Sequence, residues 1–499
     1  MNRPIQRVAV VAIILVVALL ANSTYVQVFR ADSLRNDVHN KRTRLEENQR
    51  LRGTIVTRDG TVVLARSVPN DDKTYKYRRV YLDGRDGRMY APVTGFYSPF
   101  MEGRGLEYSE NSVLSGSDDA LFTQRFMDMF AGRDPRGGTV VTTIDPKVQQ
   151  TAYNALTGAD CDGPCRGAVV AMEPSTGKIL GMASTPMYDP SKLAVLDQTA
   201  FWNTWDEYDP KAIAGPLKNK ALATLAPPGS TFKVVTTAAA IADGVSPDTR
   251  LTSQATLPLP GTSISNDSRQ TCPEASGGQV TLTQAFEYSC NTAFVELINE
   301  KMGGDGGEKL TSMAEKFGFD EELGIPINVS PSQVHDPGTD PATLGKAAIG
   351  QEVVSLTVLQ NAMIASTIAN GGVRMKPYLV DKIQTADLKT VSTTSPSPAG
   401  HPLSSEQASV ISDMMVRSEQ HTAGAQAGIA SKTGTADHAV GASEGTPYAW
   451  YIAFAPASSP EIAVAVVVEN SAKGAGAYGG VVAAPIARKV MNAYTGGPR

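Results

Sequence analysis

From Val8 to Phe29 the chain carries no charged residue, and Val8–Ala21 is apolar at every position, with Arg3 and Arg7 before it and Arg30 after. Coiled as a helix at about 1.5 Å per residue, the uncharged run reaches about 33 Å, enough to cross a bilayer. Positive charge ahead of the run and a long polar chain behind it predict a cytoplasmic N-terminus, with everything beyond about Arg30 outside. A cleaved signal peptide is the rival reading, because Val8–Ala21 alone has the length of a signal h-region. Against it, Leu19-Leu20-Ala21 lacks the small residue wanted two places before the last, and the uncharged stretch continues to Phe29.

The 499 residues suffice for several domains, and 45 basic against 50 acidic side chains leave a net charge of −5. That balance offers no electrostatic footprint for nucleic acid. Four cysteines in an exported chain are compatible with disulfides. Cys161 and Cys165 bracket the turn sequence Asp-Gly-Pro, which suits a small local bridge, and Cys272 and Cys290 are then partners or two free thiols. Zinc is a poor alternative: no Cys-x-x-Cys pair occurs, and His39, His335, His401, His421 and His438 stand singly. Neither a metal nor a cofactor is expected.

Three regions follow the N-terminus. Ser33–Arg50 is highly charged and reads as a solvated helical stalk. Arg52 to about Thr139 mixes short β-rich runs, Gly53–Val56 and Thr61–Leu64, with many Gly, Arg and Asp residues, as in a small irregular strand-rich module. From Val140 the signals alternate regularly between strand and helix as far as Tyr494. The expected layout is a cytoplasmic tail over 1–7, an anchor over 8–29, a stalk and pedestal over 30–139, and one large α+β domain over 140–499.

Within that domain, Gly167–Met172 and Lys178–Ala183 read as a hairpin. Ser230–Ala242, Val280–Asn299 and Leu356–Ile368 read as helices, and Thr390–Ser405 as a loop rich in Ser, Thr and Pro. Gly428–Ala436, Tyr448–Ala455 and Ile462–Asn470 read as three antiparallel strands covered by a helix over Val481–Tyr494.

The chemistry begins at Ser230-Thr231-Phe232-Lys233, where three-residue spacing puts the hydroxyl within reach of the amine on one helix face. Pro227-Pro228-Gly229 sets Ser230 at the helix N-terminus, where free N–H groups favour developing negative charge. The rest of the helix is apolar nearly all round, so Lys233 is expected to be buried, with its charged form disfavoured and its amine available as a base. Ser175-Thr176-Gly177-Lys178 has the same spacing but sits in a hairpin turn, where no helix aligns the pair. Ser289-Cys290-Asn291 adds a hydroxyl and an amide. Lys432-Thr433-Gly434-Thr435 adds a strand bearing an ammonium, two hydroxyls and a step without a side chain, suited to a substrate carboxylate laid along it.

This trio, in this order, resembles that of serine β-lactamases and penicillin-binding proteins. More specifically, the chain is similar to the class B penicillin-binding proteins, monofunctional transpeptidases with one membrane anchor, and in its short pedestal to their compact actinobacterial division-type members. Arg52-Gly53-Thr54-Ile55-Val56-Thr57-Arg58-Asp59-Gly60 resembles the family's membrane-proximal signature, with Thr57 in place of the usual Asp, and Gly105-Leu106-Glu107 also fits. Gly350-Gln351 leading to Asn370-Gly371-Gly372, and the strand Tyr448–Phe454, match further shared stretches.

The resemblance implies an α+β fold of one transmembrane helix, a small β-rich pedestal and a large transpeptidase domain whose antiparallel sheet is flanked by helices and an all-helical lobe. It implies a serine D,D-transpeptidase in which Ser230 attacks the penultimate D-alanine of a stem pentapeptide. Lys233 is then the base, Ser289 relays protons toward Lys432, and the Ser230 and Thr435 N–H groups form the oxyanion hole. Thr433, Gly434 and Thr435 line the site of the terminal carboxylate, and Asn291 binds the stem-peptide amide. The partners implied are stem peptides ending D-Ala-D-Ala, β-lactams, the membrane, a lipid II-polymerising glycosyltransferase and division proteins. A D,D-carboxypeptidase or a non-catalytic division scaffold is the alternative. Gly441-Ala442-Ser443-Glu444-Gly445 matches a histidine-hydrolase elbow but lies in a polar loop with no histidine after it. Because Cys290 stands between Ser289 and Asn291, a bridge to Cys272 would tie this motif to a neighbouring loop; the alternative is a buried free thiol.

Overall fold

The computed structural model describes residues 3–30, 49–71, 74–132, 136–158, 163–212, 215–267, 269–436, 447–470 and 478–497. Most of the expected stalk, the turn at Cys161 and the Gly441–Gly445 motif lie outside the described residues.

Helix α1, Arg3–Thr24, runs into a wider turn over Tyr25–Phe29. Together Ile5–Phe29 give 25 residues of apolar helix, none of them buried against the rest of the protein. Such an exposed apolar surface is unfavourable in water and matches a lipid environment.

The pedestal is built on a six-stranded sheet. Its strands are β1 (Ile55–Val56), β2 (Val63–Pro69), β3 (Tyr77–Tyr81), β4 (Thr139–Thr142), β7 (Val380–Gln384) and β8 (Thr390–Thr393), in the spatial order β8-β7-β4-β1-β2-β3. β1 and β4 are parallel and every other pair is antiparallel. The far part of the chain thus returns a hairpin, β7–β8, to the pedestal, and part of the expected Thr390–Ser405 loop is strand. At the signature's departure, Thr57 Oγ1 donates to Asp59 Oδ1 at 2.8 Å.

Beneath the signature sits a buried charge cluster. Glu107, 1% exposed, accepts from Arg52 Nε at 2.7 Å, Arg79 Nε at 2.6 Å and Tyr81 OH at 3.2 Å. The two guanidiniums hold the Glu107 carboxyl below its usual range against the opposing effect of burial, the largest single influence. One carboxylate therefore clamps β3, the signature segment and the short helix Gly105–Ser109.

The large domain centres on a five-stranded antiparallel sheet of β5 (Arg166–Met172), β6 (Ile179–Thr185), β9 (Ala430–Ala436), β10 (Tyr448–Ala455) and β11 (Ile462–Asn470), in the order β9-β10-β11-β5-β6. Alternation divides its side chains between two cores. Val169, Ala171, Tyr451, Val464 and Val466 pack with helices α2 (Pro146–Thr157) and α9 (Ala484–Thr495) on one face. Val170, Met172, Ile452, Phe454 and Ala465 meet the mainly helical lobe on the other. That lobe includes α6 (Gly306–Lys316) together with α3 (Lys233–Ala242) and α7 (Val358–Ala369), the last two buried on nearly all sides as their composition requires.

The expected single helix over Val280–Asn299 is broken. A strand residue run Gln279–Thr281 leads to α4 (Leu282–Glu287), then Ser289 at φ +60°, then α5 (Asn291–Glu296) and a wider turn over Leu297–Lys301. A serine in the left-handed region costs about 1–3 kcal/mol and persists where the surroundings fix it. Here a Cys272–Cys290 disulfide, with Cα atoms 5.5 Å apart, anchors the turn to the preceding loop.

Candidate active site

Ser230 stands in a 3-10 turn, Gly229–Phe232, that continues directly into α3. Its N–H, near the start of that turn, has no intrahelical partner. The turn is gripped from several sides. Trp450 Nε1 donates to Pro227 O at 3.0 Å, Thr231 Oγ1 to Pro228 O at 3.0 Å, and Asn361 Nδ2 to Thr231 Oγ1 at 3.1 Å. Gly229, at φ +54°, has no room for a side chain: a Cβ would lie 2.3 Å from Thr435 O. This close approach brings the serine turn against β9. Behind it, Gly229 N–H donates to Gly350 O at 2.9 Å, which gives the Gly350-Gln351 stretch a structural purpose.

Lys233 is fully buried, one helical turn on from Ser230. Its Nζ lies 2.7 Å from Ser289 O, 2.7 Å from Asn291 Oδ1 and 3.2 Å from Ser289 Oγ; these three hydrogen bonds point to the Ser-Cys-Asn turn and none to Ser230. Lys432 Nζ approaches the same Ser289 Oγ at 2.9 Å. One hydroxyl therefore bridges two lysines. Desolvation, then the neighbouring Lys432, pushes the Lys233 amine well below its usual range, and desolvation pushes Lys432 down to about 7. A neutral Lys233 satisfies the geometry: its two N–H bonds serve Ser289 O and Asn291 Oδ1, both pure acceptors, and its lone pair is left to take a proton from a hydroxyl. The arrangement can deprotonate a serine without histidine.

β9 is an edge strand of the sheet. Its pleat turns Lys432 and Gly434 toward the serine turn, where a Cβ on Gly434 would lie 2.7 Å from Pro228 O. Thr433 and Thr435, both half-buried, alternate to the other face of the pleat with Ser431. The structure thus gathers Lys233, Ser289, Asn291 and Lys432 at one point, with Ser230 on the turn that leads into Lys233 and Thr433, Gly434 and Thr435 on the edge strand beside it. Among the described residues no group of three or more His, Cys, Asp or Glu side chains could hold a metal ion.

Two acids escaped the sequence reading. Asp267 accepts from Asn291 Nδ2 at 2.8 Å, and its only local signal was an Asn-Asp turn after the strand Thr262–Ser265. Glu419, buried on α8 (Ser405–Gln420), accepts from Ser431 Oγ at 2.5 Å, Tyr451 OH at 2.6 Å and Arg488 Nε at 2.9 Å. It fastens β9, β10 and α9 together directly behind Lys432. Nothing in the sequence around Glu419 distinguishes it from a surface acid.

Comparison with known proteins shows the family. The family model described as the penicillin binding protein transpeptidase domain matches residues 167–492, and that of the penicillin binding protein A dimerisation domain matches residues 52–140. The chain is 49% identical over 500 residues to the peptidoglycan D,D-transpeptidase PbpA of Mycolicibacterium smegmatis, covering 99% of both chains. It is 45% identical over 498 residues to that of Mycobacterium tuberculosis, again covering 99% of both. Among solved structures, the penicillin G acyl-enzyme complex of penicillin-binding protein A from M. tuberculosis superposes with a TM-score of 0.83 at 45% identity, covering 89% of this chain and all (100%) of that one.

Proposed function

The chain belongs to the penicillin-binding protein transpeptidases, and on that premise we propose that Ser230 is the residue its stem-peptide substrate and β-lactams acylate. The protein is a membrane-anchored D,D-transpeptidase of peptidoglycan synthesis. The observation that carries the assignment to Ser230 is the buried Lys233 amine one helical turn away, its charged form disfavoured by desolvation, and linked through Ser289 to Lys432.

In this reading Lys233 takes the Ser230 proton as Oγ bonds to the penultimate D-alanine carbonyl carbon. The oxyanion then rests on the N–H groups of Ser230 and Thr435, a contribution of roughly 3–4 kcal/mol per donor when one is removed. Collapse breaks the C–N bond, and the departing D-alanine amine receives a proton passed along Lys233, Ser289 and Lys432. The ester is next attacked by an amine of a neighbouring stem; a new amide forms, Ser230 regains its proton, and the cross-link is closed. Protonated Lys432, with the hydroxyls of Thr433 and Thr435 on the free edge of β9, receives the terminal carboxylate. Asn291 binds the stem-peptide amide.

The same reading puts the N-terminus of α1 in the cytoplasm and the catalytic domain outside, in keeping with Arg3 and Arg7 before the span. Cross-linking acts on polymerised strands, so an enzyme that polymerises lipid II must work upstream, and division proteins are the expected company. Intact mass of the detergent-solubilised full chain, before and after benzylpenicillin, tests the assignment. A stable one-to-one adduct absent from Ser230→Ala is expected. An adduct that persists in Ser230→Ala would put the nucleophile elsewhere.

A further inference from the structure

The Asn291 carboxamide has one acceptor oxygen and two N–H donors, and every one of them is engaged. Oδ1 accepts from Lys233 Nζ at 2.7 Å, while Nδ2 donates to Ser265 O at 3.2 Å and to Asp267 Oδ1 at 2.8 Å. The orientation is enforced. A flipped amide would set Nδ2 against the amine and Oδ1 against a carbonyl and a carboxylate. If Asn291 is to bind the stem-peptide carbonyl, as the reading above requires, one of its two donors must first be released.

The two acceptors are not equally able to yield. Ser265 O is main chain at the end of a strand paired with Thr256–Leu259, Ser265 opposite Thr256, and moving it would disturb that ladder. Asp267 is an exposed side chain in the turn beyond the strand, held by its hydrogen bond to Asn291 and by attraction to Lys233 and Lys432, and it can rotate into water without moving the backbone. A carboxylate is also a stronger acceptor than an amide carbonyl. A substrate carbonyl that replaces it must therefore break a charge-assisted bond to make a neutral one.

We propose that Asp267 is a positioning residue that occupies, in the empty site, the place on Asn291 Nδ2 later taken by the substrate's acyl-amide carbonyl, and that acylation by amide-bearing substrates is slowed by its displacement. This rests on the assignment of Ser230 and Asn291 above. It separates substrates by structure: benzylpenicillin carries an acylamino side chain next to its reactive ring, whereas imipenem carries a hydroxyethyl group there and needs no carbonyl contact to Asn291.

The test is the second-order acylation rate constant of the full chain in detergent, measured for benzylpenicillin and imipenem on wild type, Asp267→Ala and Asp267→Asn, with melting temperatures alongside. In Asp267→Ala the benzylpenicillin-to-imipenem ratio should rise about fivefold, the gap between a charge-assisted and a neutral hydrogen bond. Asp267→Asn keeps the shape and loses the charge, so its ratio should move in the same direction by less; it also carries the test if the alanine variant does not fold. A ratio that stays constant or falls in the folded variants overturns the proposal, because a purely structural Asp267 would affect both β-lactams alike. Failure of the wild type to be acylated by either compound would instead remove the Ser230 assignment beneath it.

Discussion

Lys432 Nζ lies 2.9 Å from Ser289 Oγ, across 143 residues of sequence. Burial lowers both amines, the neighbouring Lys432 lowers Lys233 further, and Asp267 opposes the shift at each. Catalysis as read here needs Lys233 neutral and Lys432 charged.

The acylation rate constant should therefore be bell-shaped in pH. Its acid limb reflects protonation of the Lys233 base. Its alkaline limb lies near 7, where Lys432 loses the charge that meets the substrate carboxylate. Lys432→Arg cannot deprotonate in this range, so the variant should be slower overall but lose the alkaline limb. Stopped-flow acylation between about pH 5 and 9 reads both limbs. An alkaline limb unchanged in Lys432→Arg would assign it to another group.

The Cys272–Cys290 bridge closes a loop of sequence separation 18 around the Ser-Cys-Asn turn. A loop of this length contributes about 3 kcal/mol through the unfolded chain. Cys272→Ala with Cys290→Ala should lower unfolding stability by that order in urea, and slow acylation further, since Ser289 then has less to hold it at φ +60°. Equal acylation rates in the double variant and the wild type would show that packing alone fixes the turn.

Much of this site was legible because its chemistry is local: Ser230 and Lys233 share one helical turn, and β9, β10 and β11 alternate or run apolar within their own bounds. What failed was decided elsewhere. The apolar spacing of Phe286, Ala293, Phe294 and Val295 continues through the break at Ser289, so period alone reads one helix where a disulfide and buried lysine contacts impose a turn. β8 is a mostly exposed, polar edge strand whose pairing with β7 no alternation announces. Asp267 and Glu419 owe their meaning to partners 24 and 69 residues away. In the pedestal, Glu107 was singled out with its short motif and Arg52 with the signature, but Arg79, the second cation on that carboxylate, stood in no motif.

Glu107→Gln should destabilise the pedestal by about 3–5 kcal/mol, because it removes the buried carboxylate charge that both the Arg52 and Arg79 guanidiniums bind. The sign with pH follows from the lowered Glu107 pKa: its contribution is present above the ordinary carboxylate range and is lost as pH falls through the folded-state value. Urea unfolding of wild type and variant at neutral and acid pH should show the gap narrowing on acidification. A gap independent of pH would mean that shape, rather than charge, is what Glu107 supplies.

Lys220 presents the opposite case. It is fully buried at the start of the short helix Lys220–Ala223, and its Nζ has no hydrogen-bond partner among the described residues. Burial pulls its pKa down to about 8, opposed by Glu469. An unpaired buried amine costs more than the apolar stem gains, so Lys220→Met, which keeps length and removes the charge, should stabilise the fold by about 1–3 kcal/mol at neutral pH. Because the folded-state pKa is depressed, the unfolded chain binds more protons between pH 8 and the ordinary lysine value of 10.5. Wild-type stability should therefore recover over that window and the advantage of the variant shrink. Parallel urea titrations at pH 7 and at about pH 10 test this. A methionine variant less stable than wild type at neutral pH would show that the Lys220 charge has a partner, with Glu469 the first to examine by the same substitution cycle.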